Sequence, residues 1–241
     1  MNWFNSFDLP IIRFLNAYVG KSPGFDALMV HLSRNVLTEG GIIVALFWWG
    51  WGLPEERGRR DKELLIFGLF ASMLAVLVAR ILALSLPFRL RPIHDPSIGF
   101  VAPSPMDPSM LIGWSSFPSD HAAVFVCLAT SFWIVSRRMG MVAYAYVLFG
   151  SMFPRVYTGI HYPTDMIAGT ILGIAIAYLA EVDSLREKVV RPLFYWQKRH
   201  TPSFLAFLFI CTFEIAEEFG SVRKAAMIGF HGAKLILQNF R

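Results

Sequence analysis

The sequence predicts an all-α protein: a polytopic membrane helix bundle with about five transmembrane helices and additional amphipathic helices in the interface. Three observations predict it. Apolar runs close to the length of a bilayer crossing recur along the chain. Charged residues make up 16% of it, against roughly a quarter in soluble domains. Basic residues gather in short clusters between the runs, as cytoplasmic loops do. That clustering also argues against nucleic acid as the reason for the net charge of +5, because no basic stripe interleaved with aromatics stands outside the apolar segments.

Residues 3–19 and 24–36 are apolar but short, and Asp8, Arg13, Asp26 and Arg34 interrupt them, which reads as two amphipathic helices in the outer interface. No basic segment leads a clean apolar core there, so no cleavable signal peptide is expected. The five runs cover 38–53, 63–87, 118–136, 141–157 and 164–180, each near the length of about 20 residues that crosses a bilayer. The stretch 203–213 is too short to span and meets Glu214, Glu217 and Glu218 at once, so it reads as buried or interfacial. The chain then divides into an amphipathic N-terminal region 1–37, a membrane core 38–180 and a cytoplasmic or interfacial amphipathic region 181–241. Cys127 and Cys211 fall inside apolar runs and read as packing or lipid-facing residues, not as a disulfide or metal pair. Gly169 and Gly173 form a GxxxG pattern, the signature of closely packed helices.

Charge orients the bundle. Arg57, Arg59, Arg60 and Lys62 lie in the first connecting loop, Arg137 and Arg138 in the third, and Arg186, Lys188, Arg191, Lys198 and Arg199 beyond the last run. With five spans all three clusters fall on one side, which the positive-inside rule makes cytoplasmic. Arg223, Lys224, Lys234 and Arg241 of the tail favour the same side. The 88–117 and 158–163 loops then face outward.

Three polar clusters converge on that outer side: FRLRP at 88–92, FPSDH at 117–121 and RVYTGIHYPTD at 155–165. Pro118 suits the first turn of a helix, where the backbone N–H groups around Ser119 and Asp120 are unpaired and make an anion site. Asp120 is itself acidic, so its N–H is the expected contact and its carboxylate is expected to point away. Arg91 and Arg155 carry guanidinium forks that match phosphate oxygens. His121 and His161 supply two imidazoles, enough for a nucleophile and a general acid. Asp165, four residues beyond His161, is within reach to hold that ring in one tautomer. Taken singly these residues have plainer readings, such as a helix cap for Ser119 or headgroup contacts for Arg91. Their shared face argues for a site.

FPSDH followed by RVYTGIHYPTD resembles the second and third signature motifs, PSGH and SRxxxxxHxxxD, of the type 2 phosphatidic acid phosphatase superfamily. That group includes membrane lipid phosphatases, undecaprenyl diphosphate phosphatases, glucose-6-phosphatase and the vanadium haloperoxidases. The likeness covers about residues 80–180, and Arg155, His161 and Asp165 keep the motif spacing. It departs at three places: Asp120 stands for the glycine, Pro154 for the serine, and Leu84 for the lysine of the first motif, KxxxxxxRP, whose RP is Arg91–Pro92. Arg89 or Arg80 is left to supply that charge. Arg89 is favoured, because Arg80 lies a turn deeper and helical side chains lean toward the N-terminus, here inward.

The resemblance implies that His161 attacks phosphorus, that Asp165 orients it and that His121 protonates the leaving oxygen. Arg91, Arg155, Ser119, the backbone at Asp120 and Arg89 would bind phosphate. It implies no metal or other cofactor, and the sequence offers no cluster that demands one. The expected activity is hydrolysis of a lipid phosphomonoester or diphosphate at the outer face of a bacterial cytoplasmic membrane. The expected partners are a lipid phosphate substrate and membrane lipids, with no obligate protein partner. A lipid-to-lipid phosphotransferase of the same fold and a non-catalytic membrane bundle are the alternatives.

Overall fold

A computed structural model of the chain describes residues 3–53 and 59–221. Arg57 of the first basic loop, and Arg223, Lys224, Lys234 and Arg241 of the tail, lie outside the described residues. The described residues form ten α-helices and no strand. These are α1 (Trp3–Asn16), α2 (Pro23–Leu32), α3 (Ile42–Trp51), α4 (Arg59–Ser85), α5 (Asp120–Val135), α6 (Arg137–Tyr146), α7 (Phe153–Tyr157), α8 (Pro163–Ala177), α9 (Asp183–Arg199) and α10 (Thr201–Ala216).

Two helical segments, Arg59–Ser85 and Pro163–Glu181, are long and apolar enough by themselves to cross a membrane. The 118–136 run gives a 16-residue helix, α5, about 24 Å long at ~1.5 Å per residue, short of a hydrocarbon core of about 30 Å. The 38–53 and 141–157 runs are helical but interrupted by π-helical turns at Leu37–Gly41 and Val147–Met152. Large apolar side chains nonetheless face outward around the bundle, including Leu77, Ile81 and Leu84 on α4, Ile167 and Ile171 on α8, and Phe209, Ile210 and Phe213 on α10. An exposed apolar surface on that scale is what a bilayer or partner covers.

α5 is the central helix, packed against α4, α6 and α8. It is buried on every face because small residues, Ala122, Ala123, Cys127 and Ala129, let its neighbours approach. The approach of α8 requires glycine. A Cβ on Gly169 would lie 2.3 Å from the Ser119 carbonyl oxygen, and one on Gly173 would lie 2.6 Å from that of Ala123. This contact draws the start of α8 against the start of α5, which sets the third motif beside the second.

The basic clusters gather at one end of the bundle. Arg186 lies 3.9 Å from Glu63 and Arg60 lies 3.7 Å from Glu181, while Arg59 covers the ring of Phe194. The polar motifs gather at the other end, joined there by α1 and α2.

The 203–213 stretch is partly buried, as expected, but it belongs to a longer helix, α10. It runs from the basic end, where Phe204 packs on Trp51, to the opposite end, where Ala216 meets Gly40. Trp48 Nε1 donates to Thr212 Oγ1 on the way, at 3.2 Å. The physical reason is a stripe of buried residues, Phe204, Leu208, Cys211, Thr212 and Ile215, at helical spacing. The stripe continues past the apolar stretch, so the length of that stretch understates the helix.

Candidate active site

His161 leaves a tight turn between α7 and α8 in which Gly159 has φ +74°, a conformation that favours glycine. The ring is buried, and each nitrogen has a partner. Nδ1 lies 2.9 Å from the Ser116 carbonyl oxygen and 3.4 Å from Asp165 Oδ2. Both of those groups only accept, so Nδ1 carries the proton and Nε2 presents its lone pair. Nε2 in turn lies 3.2 Å from Arg91 Nη1. Burial first, and then the Arg91 cation, push the imidazole pKa down to about 4 against the pull of Asp165. The ring is therefore neutral at physiological pH.

Asp165 is fixed by three contacts. Its Oδ2 accepts from the Tyr162 N–H at 2.8 Å, its Oδ1 accepts from Arg89 Nη1 at 2.6 Å, and its backbone oxygen accepts from the Ser119 N–H at 3.1 Å. Arg89 is in turn held by Thr164 and by Asp8 of α1, which is fully buried. Its guanidinium also stacks over Tyr162, 4.0 Å from the ring centroid.

The structure thus sets Arg89 behind His161 as the counter-ion of Asp165, and it does not line the cavity. Arg80 does line it. Its Nη2 pairs with Asp120 Oδ2 and its guanidinium covers the ring of Trp114. Lean toward the helix N-terminus is only a tendency, and here the α5 N-terminus offers Arg80 a carboxylate. Leu84, at the motif's lysine position, is 87% exposed on the outside of the bundle.

His121 faces His161 with ring centroids 6.3 Å apart. Its Nδ1 lies 3.0 Å from Asp120 Oδ1 and its Nε2 meets Glu218 Oε2. With an acceptor at each nitrogen, both positions suit a proton. Asp120 therefore turns its carboxylate into the cavity, contrary to the expectation that it points away, because Arg80 and His121 both draw it there. Ser119 is not in the cavity. It is the N-cap of α5, its hydroxyl accepting from the Ala122 N–H at 3.3 Å, and Pro118 precedes the cap instead of opening the helix.

Arg91 and Arg155 are 3% and 1% exposed, so their charge must be matched locally. Arg91 donates to the carbonyl oxygens of Ile160 at 2.8 Å and Ser115 at 3.3 Å, while its buried Nε has no partner among the described residues. Burial lowers its pKa to about 10, which leaves it a cation at neutral pH. Arg155 bonds Ser151 through Nη1 and reaches Glu39 Oε1 at 2.8 Å and Glu218 Oε1 at 3.1 Å through Nη2.

The cavity among these groups measures about 210 Å³ and is also lined by Arg34 and Glu217. Glu39, Glu218 and Arg34 are residues that motif reading missed. The available signal was an ionisable residue inside or against an apolar run, which in a membrane helix marks function. The sequence offers no cluster that demands a metal, yet folding assembles two sets of possible ligands. Asp120, His121 and His161 have ligand atoms within 4.8 Å of one another, as do Glu39, His121 and Glu218. Arg80 pairs with Asp120 of the first set, and Arg155 is shared between Glu39 and Glu218 of the second.

The sequence model of the PAP2 superfamily matches residues 64–186. Undecaprenyl-diphosphatase BcrC of Bacillus subtilis (strain 168) is 26% identical over 156 residues, covering 64% of this chain and 72% of that protein. Bacitracin transport permease protein BcrC of Bacillus licheniformis is 20% identical over 198 residues, covering 77% of this chain and 90% of that protein. The crystal structure of Aquifex aeolicus LpxE aligns with a TM-score of 0.47 at 18% identity, over 72% of this chain and 94% of the other.

Proposed function

Because the chain belongs to the PAP2 superfamily, we propose that it is a membrane lipid phosphatase that works through a phosphohistidine at His161. The observation that carries the reading is the state of that ring. Nδ1 is tied to two acceptors, and the Nε2 lone pair sits beside Arg91. In the reaction Nε2 attacks phosphorus and forms a P–N bond as the P–O bond to the lipid breaks. His121 gives its proton to the departing oxygen. A water then attacks phosphorus, His121 takes a proton from it, the P–N bond breaks, and phosphate leaves with His161 regenerated. Arg91 and Arg155 face the charge that spreads over the phosphoryl oxygens, the main electrostatic contribution in such transfers. The unpartnered Nε of Arg91 is a donor left for one of those oxygens.

A cavity of about 210 Å³ takes a phosphate or diphosphate but not a lipid chain. The chain would lie on the outward apolar face of α4, where Leu77, Ile81 and Leu84 flank Arg80. The likeness to an undecaprenyl-diphosphatase favours a polyprenyl diphosphate among the candidates. Phosphatidic acid, phosphatidylglycerol phosphate and glycolipid phosphates are the others. The test is phosphate release by the purified protein from each lipid in turn, with chelator present. Hydrolysis of one of them alone is expected. Transfer that appears only when a second lipid is added would make the protein a phosphotransferase.

The bundle is proposed to cross a bacterial cytoplasmic membrane five times within 38–180, with α10 as a further crossing and the site on the outer face. A cysteine at position 109 should then react with an impermeant thiol reagent applied to intact cells, and one at position 60 should not. The opposite pattern would put the site on the cytoplasmic side.

The lowered pKa of His161 gives a second expectation. A group with a depressed pKa stays neutral until the pH falls through its folded value, so nitrogen NMR of labelled histidine should keep the His161 signal neutral at pH 5.5 and titrate it near 4. A midpoint at or above 6.5 would contradict the arrangement described for Arg91.

A further inference from the structure

The turn that follows α10 carries Glu218 into the cavity. Its Oε2 meets Nε2 of His121, and its Oε1 accepts from Nη2 of Arg155 at 3.1 Å. Those are the groups to which the proposed reaction assigns the leaving-group proton and a phosphoryl oxygen. A carboxylate that bridges an imidazole and a guanidinium makes the charge-assisted contacts a phosphate would make there. Arg155 does not need it for neutrality, because Glu39 pairs with the same Nη2 at 2.8 Å.

The turn is also strained. Glu218 and Phe219 have φ of 53° and 59°, the left-handed region that residues bearing a Cβ avoid. Such residues persist where surrounding contacts over-determine the backbone. The contacts here are the pairing of Glu218 with His121 and Arg155, and the packing of Phe219 against the hydrophobic core.

We propose that Glu218 is an internal competitor of the substrate phosphate and sets the affinity of the site. Phosphate enters by displacing the carboxylate from His121 and Arg155, and the 217–219 turn moves as it does so. The inference rests on the reading of this cavity as a phosphate site. If phosphate binds only the fraction of molecules with Glu218 withdrawn, its apparent dissociation constant is the intrinsic one divided by that fraction.

The experiment uses the full-length protein in detergent with chelator. It measures KM for the lipid phosphate that the panel identifies, and Ki for inorganic phosphate, in wild type, Glu218→Gln and Glu218→Ala. Both constants are expected to fall by about tenfold in the variants, a coupling of ordinary size, without a matching rise in kcat. Constants that stay the same or rise would overturn the proposal while wild-type turnover leaves the phosphatase reading intact. Absence of both turnover and phosphate binding in wild type would overturn both.

Should the variants fail to fold, hydrogen exchange on wild type decides. The Phe219 N–H donates to Glu214 O and the Gly220 N–H to Glu217 O, so both amides report the turn. Saturating phosphate should speed their exchange, and unchanged exchange would overturn the proposal.

Discussion

His161→Ala is expected to abolish turnover on every substrate, a loss on the order of 10⁵-fold or more, as when a covalent nucleophile is removed elsewhere. Among the described residues, no other side chain stands ready to replace it. His121 lies across the cavity but has a carboxylate at both ring nitrogens, so it presents no lone pair. The Arg91 guanidinium that meets Nε2 would lose a neutral acceptor and keep its carbonyl partners, so the variant should fold. The measurement is phosphate release by the purified variant, with thermal unfolding in detergent as the control. Residual turnover within about 100-fold of wild type would mean that phosphorus is attacked by water directly, with the histidine as base, a role of roughly 10²–10⁴-fold.

His121→Ala carries the second large effect, and its size should depend on the leaving group. A lipid alcohol departs poorly without a proton, so the loss on phosphatidic acid should be about 10²–10⁴-fold. Para-nitrophenol departs without one, so the loss on its phosphate should be far smaller. Asp165→Asn should fall between the two histidine variants, but for two reasons at once. It removes the charge that stabilises the ring, and it sets an amide NH₂ against one of two donors, Arg89 or the Tyr162 N–H, that the carboxylate oxygens now satisfy. Equal losses on both substrates for His121→Ala would undo the division of labour between the histidines.

The bundle was legible because helices and charge leave periodic marks. α4 and α8 match their apolar runs to within four residues at each end, and the basic clusters share one end. The two histidines and Asp165 were legible as a motif, and the glycines at 169 and 173 explain why the fold can bring its two halves together.

What escaped was set by reach and by partners. Arg80 and Arg89 are nine residues apart and chemically identical, and the positions of Asp120 on one side and of Asp8 and Asp165 on the other decide which enters the cavity. Glu218 escaped for a different reason. It belongs to no motif, and its approach to His121 depends on α10 running the length of the bundle, a fact carried by a buried stripe and not by the length of an apolar stretch.

The central claim is a covalent bond between phosphorus and Nε2 of His161. The most direct measurement is a millisecond acid-free quench of the protein with a ³²P-labelled lipid substrate, followed by digestion and peptide mapping. The label should appear on the peptide that contains His161, survive base and be lost in mild acid, as a phosphoramidate is, and be absent from His161→Ala. Label that is lost in base, or that maps to another residue, or full turnover with no trapped label at any time point, would contradict it.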